Sequence, residues 1–187
     1  MRILLIDNTS VHISKLAQLF DNHTLTVISH EEVSGICDSY DCIVLSGGSE
    51  HSLIGNTERF LPQIELVTHT TKPVIGICFG FQLLAYTYGA HLHKLAHKIR
   101  GIEPVEIVDT SLMNDIGHKT IQVYESHSWA VSTCPNITPL ITSPSGIEAF
   151  KHREKPQIGL QFHPEVHDMS MDGKRVFDIL FQQIQAV

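Results

Sequence analysis

The sequence predicts an α/β fold with three layers: an open, mainly parallel sheet, helices on both of its faces, and added antiparallel strands. The first observation is that apolar runs of strand length alternate with helical patterns through the first half of the chain. The second is that these runs are continuously apolar, which is typical of strands buried on both faces. The third is that short turns separate the strands after Gly89, which indicates antiparallel pairing.

The elements follow from these patterns in chain order. Four apolar runs predict the parallel strands: RILLID (2–7), LTVIS (25–29), CIVLSGG (42–48) and PVIGIC (73–78). Helical spacing between the first two runs predicts a helix whose apolar residues are Ile13, Leu16, Ala17 and Phe20. The same spacing between the last two runs predicts a helix with Phe60, Ile64 and Val67. Another helix is expected after Cys78, with Gly89 as its left-handed cap. Four later runs predict antiparallel or mixed strands before a closing helix near 172–185: VEIVD (105–109), KTIQVYESH (119–127), IEAFKH (147–152) and QIGLQFH (157–163).

Length and charge restrict the class of protein. With 187 residues, the chain is expected to form a single domain over 1–187. The formal net charge is −7 and no cluster of Lys or Arg offsets it, which argues against nucleic-acid and membrane-surface partners. No signal-peptide pattern and no run of 18 apolar residues is present, so we expect a cytoplasmic protein whose four cysteines stay reduced.

Cys78 is the first candidate for chemistry. It lies in GICFGFQ (76–82), between an apolar strand and a helical pattern, with glycines two residues before and two residues after it. A strand-to-helix turn of this kind exposes a strained nucleophile, and the start of the helix favours the thiolate. The other three cysteines lack this pattern and are expected to be small buried residues: Cys37, Cys42 and Cys134.

A thiolate nucleophile needs a base and a group that orients the base. The segment QFHPEV offers both, since His163 ends an apolar run and Glu165 lies two residues further on. Loops at the carboxyl ends of parallel strands converge, so Cys78, His163 and the SGG of 46–48 are expected near one another.

With LSGG, GICFGFQ and QFHPEV in this order, the chain resembles the class I glutamine amidotransferases essentially from end to end. The resemblance is closest to the glutaminase subunit or domain of GMP synthase, because LSGGSEHS and IEAFKHREKPQIGLQFHPEV are similar to segments of that group. It implies a flavodoxin-like fold and a glutaminase that needs neither a cofactor nor a metal. It also implies a separate ATP-dependent synthetase that accepts the ammonia.

The resemblance assigns roles by residue. Cys78 would form a γ-glutamyl thioester with L-glutamine, His163 would transfer protons, and Glu165 would hold His163. Backbone N–H groups of Gly48 and Phe79 would form the oxyanion hole. Gln82 and the backbone of Ser128 and Trp129 would bind the amino acid end of glutamine.

Two positions depart from the family pattern. Ser49 stands where proline is usual and is expected to loosen the turn, and Phe81 is expected to alter packing against a partner.

Other interpretations remain open at this point. SGGSEHS (46–52) is also similar to the phosphate loop of ATP pyrophosphatases. HLHKLAH (91–97) would place His93 and His97 on one face of a helix, where they could bind a metal. His127 could either support the loop of the glutamine site or contact glutamine itself. The charged segment 152–157 suggests a solvated turn. With the triad intact, the chain could also be a free-standing γ-glutamyl hydrolase, the glutaminase of an anthranilate or aminodeoxychorismate synthase, or a catalytically silent regulatory protein.

Overall fold

The computed structural model describes residues 1–33 and 39–185. Within these ranges the strands are β1 (Arg2–Asn8), β2 (Thr24–Ser29), β3 (Cys42–Gly48), β4 (Val74–Ile77), β5 (Leu92–Ile107), β6 (Thr120–Val131), β7 (Ile137–Ser143), β8 (Gly146–His152) and β9 (Gln157–Leu160). They form one sheet in the order β2-β1-β3-β4-β9-β8-β6-β5-β7. The helices are α1 (Ile13–Gln18), α2 (Leu61–His69), α3 (Phe79–Thr87), α4 (Thr110–Ile116) and α5 (Gly173–Gln185).

The sheet changes from parallel to antiparallel at β9. Strands β2, β1, β3, β4 and β9 pair with one another in the parallel sense. On its other side, β9 pairs with β8 in the antiparallel sense. The last strand of the described chain therefore lies near the centre of the sheet, and its carboxyl end lies beside that of β4. This placement brings the segments after Ile77 and Leu160 to the same edge.

Both faces of the parallel part are buried, as its continuous apolar runs predict. In β1, Ile3 and Leu5 pack into the core beneath α1, α4 and α5, whereas Leu4 and Ile6 pack into the core beneath α2 and α3. A sheet strand points successive side chains to opposite faces, so an unbroken apolar run fills both layers. The predicted three-layer α/β fold is confirmed.

One predicted boundary is wrong in the second half of the chain, and two elements there were not expected. Strand β5 begins at Leu92 rather than at 105, so HLHKLAH is extended and His93 and His97 do not share a helical face. Strand β7 and helix α4 were not predicted. The signals for α4 are present, because the Asp109 side chain accepts the N–H of Leu112 at 2.9 Å and Gly117 ends the helix at φ 94°.

The remaining predicted features are the closing helix, the cap of α3, the other cysteines and the charged turn. The closing helix is α5, and Gly89 follows α3 at φ 89° as predicted. Cys42 and Cys134 are buried, and Cys37 lies outside the described residues. The segment after His152 is the turn of the β8–β9 hairpin. None of the helices in the described ranges has the length and apolarity needed to cross a membrane.

Phe81 belongs to the core rather than to a partner surface. Its side chain is completely buried, and its ring centre lies 5.1 Å from that of Phe150. Gly159 leaves room for this pair, because a Cβ there would lie 2.8 Å from both rings. The expectation that Phe81 affects packing against a partner is therefore wrong: the larger ring at this position fills a space in the α3 layer.

Candidate active site

Cys78 occupies the strained turn that its sequence context predicts. It joins β4 to α3 with φ 50° and ψ −97°, a conformation that residues with a Cβ rarely adopt. The two flanking glycines make the turn sterically feasible. A Cβ on Gly76 would lie 2.5 Å from the Gly80 backbone, and a Cβ on Gly80 would lie 2.3 Å from the Leu45 carbonyl oxygen. The backbone N–H of Cys78 is held by the Leu160 carbonyl at 2.8 Å.

His163 and Glu165 lie in the loop that follows β9. The His163 N–H donates to the Tyr124 carbonyl at 2.9 Å, which ties this loop to β6. His163 Nδ1 lies 2.8 Å from Glu165 Oε1, and both side chains are buried. A Cβ on Gly47 would lie 3.2 Å from Cε1 of His163 and 3.7 Å from Cβ of Cys78, so the end of β3 passes close to both side chains. The three residues predicted as a triad are thus brought together.

The electrostatics of His163 favour its protonated form. Burial alone would lower the pKa of His163, since it disfavours the charged ring. The charge and hydrogen bond of Cys78, together with those of Glu165, outweigh burial and raise the pKa of His163 well above its ordinary 6.5. An imidazolium held beside the sulfur is the partner that a cysteine thiolate requires.

Gln161 is a site residue that the sequence analysis missed. Its fully buried side-chain amide donates from Nε2 to Cys78 Sγ at 3.6 Å and accepts at Oε1 from Gln82 Nε2 at 3.1 Å. Gln82 Nε2 also lies 3.4 Å from the Trp129 carbonyl oxygen. Gln161 immediately follows the carboxyl end of β9, where ligand-binding residues of a parallel sheet are expected, and this position could have identified it from the sequence.

A cavity of about 450 Å³ opens beside the sulfur. Its walls include seven of the eight residues assigned from the resemblance: Cys78, His163, Gly48, Phe79, Gln82, Ser128 and Trp129. The eighth, Glu165, lies behind His163 and reaches the cavity only through the imidazole. Lys98 and Arg100 of β5 also line the wall and were not predicted, because β5 was placed further along the chain.

The turn after β3 is tethered rather than loosened by Ser49. Ser49 Oγ donates to the Thr9 carbonyl at 2.7 Å, linking this turn to the segment after β1. Beneath it, Asn8 donates its backbone N–H to Ser46 Oγ at 2.8 Å and accepts at Oδ1 from Gln63 Nε2 at 2.7 Å. These buried hydrogen bonds fix the ends of β1 and β3 beside the cavity. His12 adds an edge-on contact with His163, with 5.4 Å between the ring centres.

Comparison with known proteins assigns the family. The family described as glutamine amidotransferase class-I matches residues 4–183. The chain therefore belongs to the class I glutamine amidotransferases. It is 30% identical over 175 residues to the glutamine-hydrolysing GMP synthase subunit of Methanococcoides burtonii, covering 89% of this chain and 88% of that one. It is 32% identical over 139 residues to the same subunit of Methanothermobacter thermautotrophicus, covering 73% and 70%.

A solved structure shares the fold over the whole chain. A Thermoplasma acidophilum protein provisionally assigned as a GMP synthase subunit superposes with a TM-score of 0.84 at 22% identity, covering 100% of this chain and 98% of the other. The predictions of family, fold and glutamine-hydrolysing activity are confirmed. The interpretation of SGGSEHS as a phosphate loop of an ATP pyrophosphatase is not supported, because Gly48 and Ser49 line the cavity beside Cys78 in a glutamine amidotransferase.

Proposed function

We propose that this class I glutamine amidotransferase hydrolyses L-glutamine through a thioester on Cys78. The observation that carries the proposal is the buried His163–Glu165 pair, 2.8 Å apart, facing a cysteine held in a strained turn at the floor of a cavity. Cys78 Sγ attacks the side-chain carbonyl carbon of glutamine, and a tetrahedral intermediate forms. His163 then gives its proton to the amide nitrogen, the carbon–nitrogen bond breaks, and ammonia leaves.

The second half of the reaction restores the enzyme. Water attacks the γ-glutamyl thioester, and neutral His163 accepts its proton. The carbon–sulfur bond then breaks, which releases the γ-carboxylic acid and returns the thiolate beside the imidazolium. The acid gives its proton to the solvent and becomes glutamate. Glu165 does not contact the substrate in this scheme. It orients the imidazole through Nδ1 and stabilises its positive charge in both half-reactions.

The backbone at Gly48 and Phe79 is suited to binding the oxyanion of each tetrahedral intermediate. Both residues line the cavity, and Phe79 stands at the start of α3, where backbone N–H groups are free of intrahelical partners. A Cβ on Gly48 would lie 2.8 Å from the Asn8 carbonyl oxygen and 3.1 Å from the Phe79 ring, so a side chain would separate the two segments.

The α-amino and α-carboxyl groups of glutamine are assigned to the other end of the cavity. Gln82 and the backbone of Ser128 and Trp129 line it there, and Lys98 and Arg100 supply positive charge near by. Between Lys94 and Ile99, four residues of β5 face a single residue of β6, Ser128, which interrupts the ladder. Interrupted strand pairing leaves backbone groups available to a ligand.

We further propose that the ammonia passes to a separate ATP-dependent synthetase of the GMP synthase type, which would use it to aminate XMP. The relatives from Methanococcoides burtonii and Methanothermobacter thermautotrophicus support this choice, since both are named as glutamine-hydrolysing subunits of GMP synthase. The glutaminase subunit of another synthetase is the alternative acceptor assignment. The whole chain then acts as one glutaminase domain, and its cavity faces the partner that receives the ammonia.

Covalent labelling tests the site. The protein is treated with a chloroketone analogue of glutamine, with and without excess glutamine, and the modified residue is identified by peptide mass spectrometry. Cys78 should be labelled and protected by glutamine, whereas the buried thiol of Cys134 serves as the internal control. Labelling of both cysteines at equal rates would overturn the assigned nucleophile.

Coupled kinetics test the partner. Ammonia release from glutamine is measured for the chain alone and with the ATP-dependent subunit of a GMP synthase, in the presence of XMP and ATP. The proposal expects release to rise when the partner is present and to yield GMP. Full release without any partner would instead favour the free-standing γ-glutamyl hydrolase, and Cys78 labelling without any release would favour the catalytically silent regulatory protein.

A further inference from the structure

A second cluster of chemically reactive side chains lies beneath the glutamine cavity. Glu125 and His127 stand two residues apart on β6 and so point to the same face, and Glu148 points toward them from β8. One ligand atom from each residue lies within 4.8 Å of the other two. All three side chains are more than nine-tenths buried, with exposures of 1%, 4% and 2%. We refer to these three residues as the Glu–His–Glu cluster.

Four polar atoms of this cluster receive no hydrogen bond from a neutral or cationic donor within the described residues. They are both carboxylate oxygens of Glu125, Nε2 of His127 and Oε2 of Glu148. His127 Nε2 and Glu125 Oε2 are 3.3 Å apart, but their geometry is not that of a hydrogen bond. The Glu125 and Glu148 carboxyl groups face each other within hydrogen-bonding reach, so either a shared proton or a bound cation is needed to offset the cost of burying these atoms.

The orientation of His127 shows which of its atoms faces the carboxyl groups. Its Nδ1 lies 2.8 Å from the Trp129 carbonyl oxygen, which can only accept, so Nδ1 carries the hydrogen. Burial is the main cause that lowers the pKa of His127, which keeps the ring neutral. Nε2 therefore presents a lone pair toward two carboxyl groups. Histidine ligands of metals in proteins show this arrangement, with the other ring nitrogen bound to a carbonyl.

We propose that the Glu–His–Glu cluster binds a divalent transition-metal ion, with Zn²⁺ and Mn²⁺ as the leading candidates. One imidazole nitrogen and carboxylate oxygens are donors that suit these ions, whereas Mg²⁺ and Ca²⁺ favour oxygen ligands alone. Two ligands of one tetrahedral Zn²⁺ ion lie about 3.5 Å apart, since each bond is about 2.1 Å. His127 Nε2 and Glu125 Oε2 already have about this spacing at 3.3 Å, whereas the ligand atoms as a set lie within 4.8 Å of one another, so the Glu148 carboxylate would have to approach by up to about 1.3 Å.

The surroundings of the cluster also fit a metal site. The Ser143 hydroxyl donates to Glu148 Oε1, which orients that carboxylate and leaves Oε2 free. A cavity of about 500 Å³ is lined by all three side chains and by Ser145, which gives space for an ion and its water. Lys98 and Arg100 line the same cavity, and a bound cation has to overcome their positive charge. Burial raises the pKa of Glu125 and of Glu148 to about 8, so protons are the competing occupants. Two carboxylates and one divalent ion together carry no net charge.

The site has a structural connection to the glutamine cavity. The Trp129 carbonyl that holds His127 Nδ1 also lies 3.4 Å from Gln82 Nε2. The backbone N–H of Gln161, whose amide contacts the Cys78 sulfur, donates to the Glu148 carbonyl at 2.8 Å. A metal in the cluster would thus act as a positioning element for segments on either side of the thiol, without touching the substrate.

Metal binding is tested with Co²⁺, a spectroscopic substitute for Zn²⁺ and Mn²⁺. Protein carrying Cys78→Ala is used throughout, because the thiol and His163 could otherwise bind the ion themselves. The chelator-treated protein is titrated with Co²⁺ at about pH 8, where protons compete less with the metal. Visible absorption reports the stoichiometry and ligand set, and thermal unfolding with and without Zn²⁺ gives an independent measurement.

The matched variants are Glu125→Gln and Glu148→Gln, which preserve shape and remove one carboxylate each. Glu103→Gln is the control, because Glu103 lines the same cavity but lies outside the cluster. A His91→Ala/His93→Ala double variant controls for surface histidines, whose rings are stacked with 6.3 Å between centres.

We expect one equivalent of Co²⁺ to bind, with affinity reduced at least tenfold in each cluster variant and unchanged in both controls. Zn²⁺ should raise the melting temperature of the control proteins and not that of Glu148→Gln. Absence of binding would overturn the proposal and leave a carboxyl pair that shares protons. Binding that the cluster variants do not weaken would overturn it as well. Since every readout uses protein without the thiol, the result is independent of the proposed glutaminase reaction.

Discussion

Replacing Gly80 by alanine should destabilise the protein, although alanine is the better helix former. Gly80 lies in the first turn of α3, and in an ordinary helix the change to alanine would gain about 0.5–1 kcal/mol. Here the new Cβ would lie 2.3 Å from the carbonyl oxygen of Leu45 and 2.6 Å from its Cβ. Both atoms belong to β3, which is buried from Cys42 to Gly47 and lies at the centre of the parallel sheet.

The clash outweighs the gain in helix propensity. The contact with the carbonyl oxygen is roughly 1 Å shorter than an ordinary van der Waals contact, and that oxygen is backbone rather than a flexible side chain. Overpacking of a core costs about 1–3 kcal/mol, and a clash with backbone belongs at the upper end of that range. After subtraction of the gain of about 0.5–1 kcal/mol in helix propensity, a net loss of about 2 kcal/mol is expected. For a chain of this size that loss lowers the melting temperature by about 4–8 °C. If α3 moves by about 1 Å, Cys78 moves with it, and a misplacement of that size can cost about 100-fold in turnover.

The measurement is urea unfolding, followed by far-ultraviolet circular dichroism and by the fluorescence of Trp129, the single tryptophan. Gly173→Ala is the matched control, because Gly173 also begins a helix and is also buried. A Cβ there would meet the Phe162 ring at 3.4 Å, an ordinary contact, so the control should be neutral or slightly more stable. The reasoning would be refuted by a Gly80→Ala protein that is as stable and as active as the control.

Three further predictions concern single side chains. Cys78→Ala should abolish glutamine hydrolysis. In urea unfolding, Cys78→Gly should be more stable than Cys78→Ala by about 1 kcal/mol, because glycine relieves the strain of φ 50°. Equal stability of the two variants would argue against strain at this position. The pKa of His163 is raised in the folded state, so stabilisation by its protonation is fully present below about pH 6.5 and is lost as pH rises through the folded pKa. The stability advantage of wild type over His163→Gln should therefore shrink with rising pH across that window, and a growing advantage would contradict the assigned ion pair. Tyr88→Phe removes the hydroxyl that donates to Oε1 of the buried Gln157, and should cost about 1–3 kcal/mol in the same unfolding assay; a loss below about 0.5 kcal/mol would mean that Gln157 has another donor.

The parallel half of the fold and the positions of the three proposed triad residues were predictable because their signals are local. Runs such as CIVLSGG (42–48) encode burial on both faces, and the glycines around Cys78 encode a strained turn within five residues. The antiparallel half was less predictable, because β5 has no buried residue between Leu92 and Val105, and only its last residues alternate between buried apolar and exposed polar side chains. Gln161 and the Glu–His–Glu cluster depend on strand pairing across long separations in the chain, which spacing alone does not show.

The central position of β9 has a consequence for how the enzyme is made. A ribosome releases β4 and β8 before β9, so until β9 is released each of these strands has an open edge where β9 will pair. The Leu160 carbonyl that holds the Cys78 backbone belongs to β9, and Gln161, His163 and Glu165 follow within five residues. The proposed nucleophile is therefore synthesised long before the proposed base and meets it only when the sheet closes. On the proposed mechanism, a nascent or truncated chain has the thiol without the base beside it, and we expect hydrolysis of glutamine to begin only after β9 has joined the sheet.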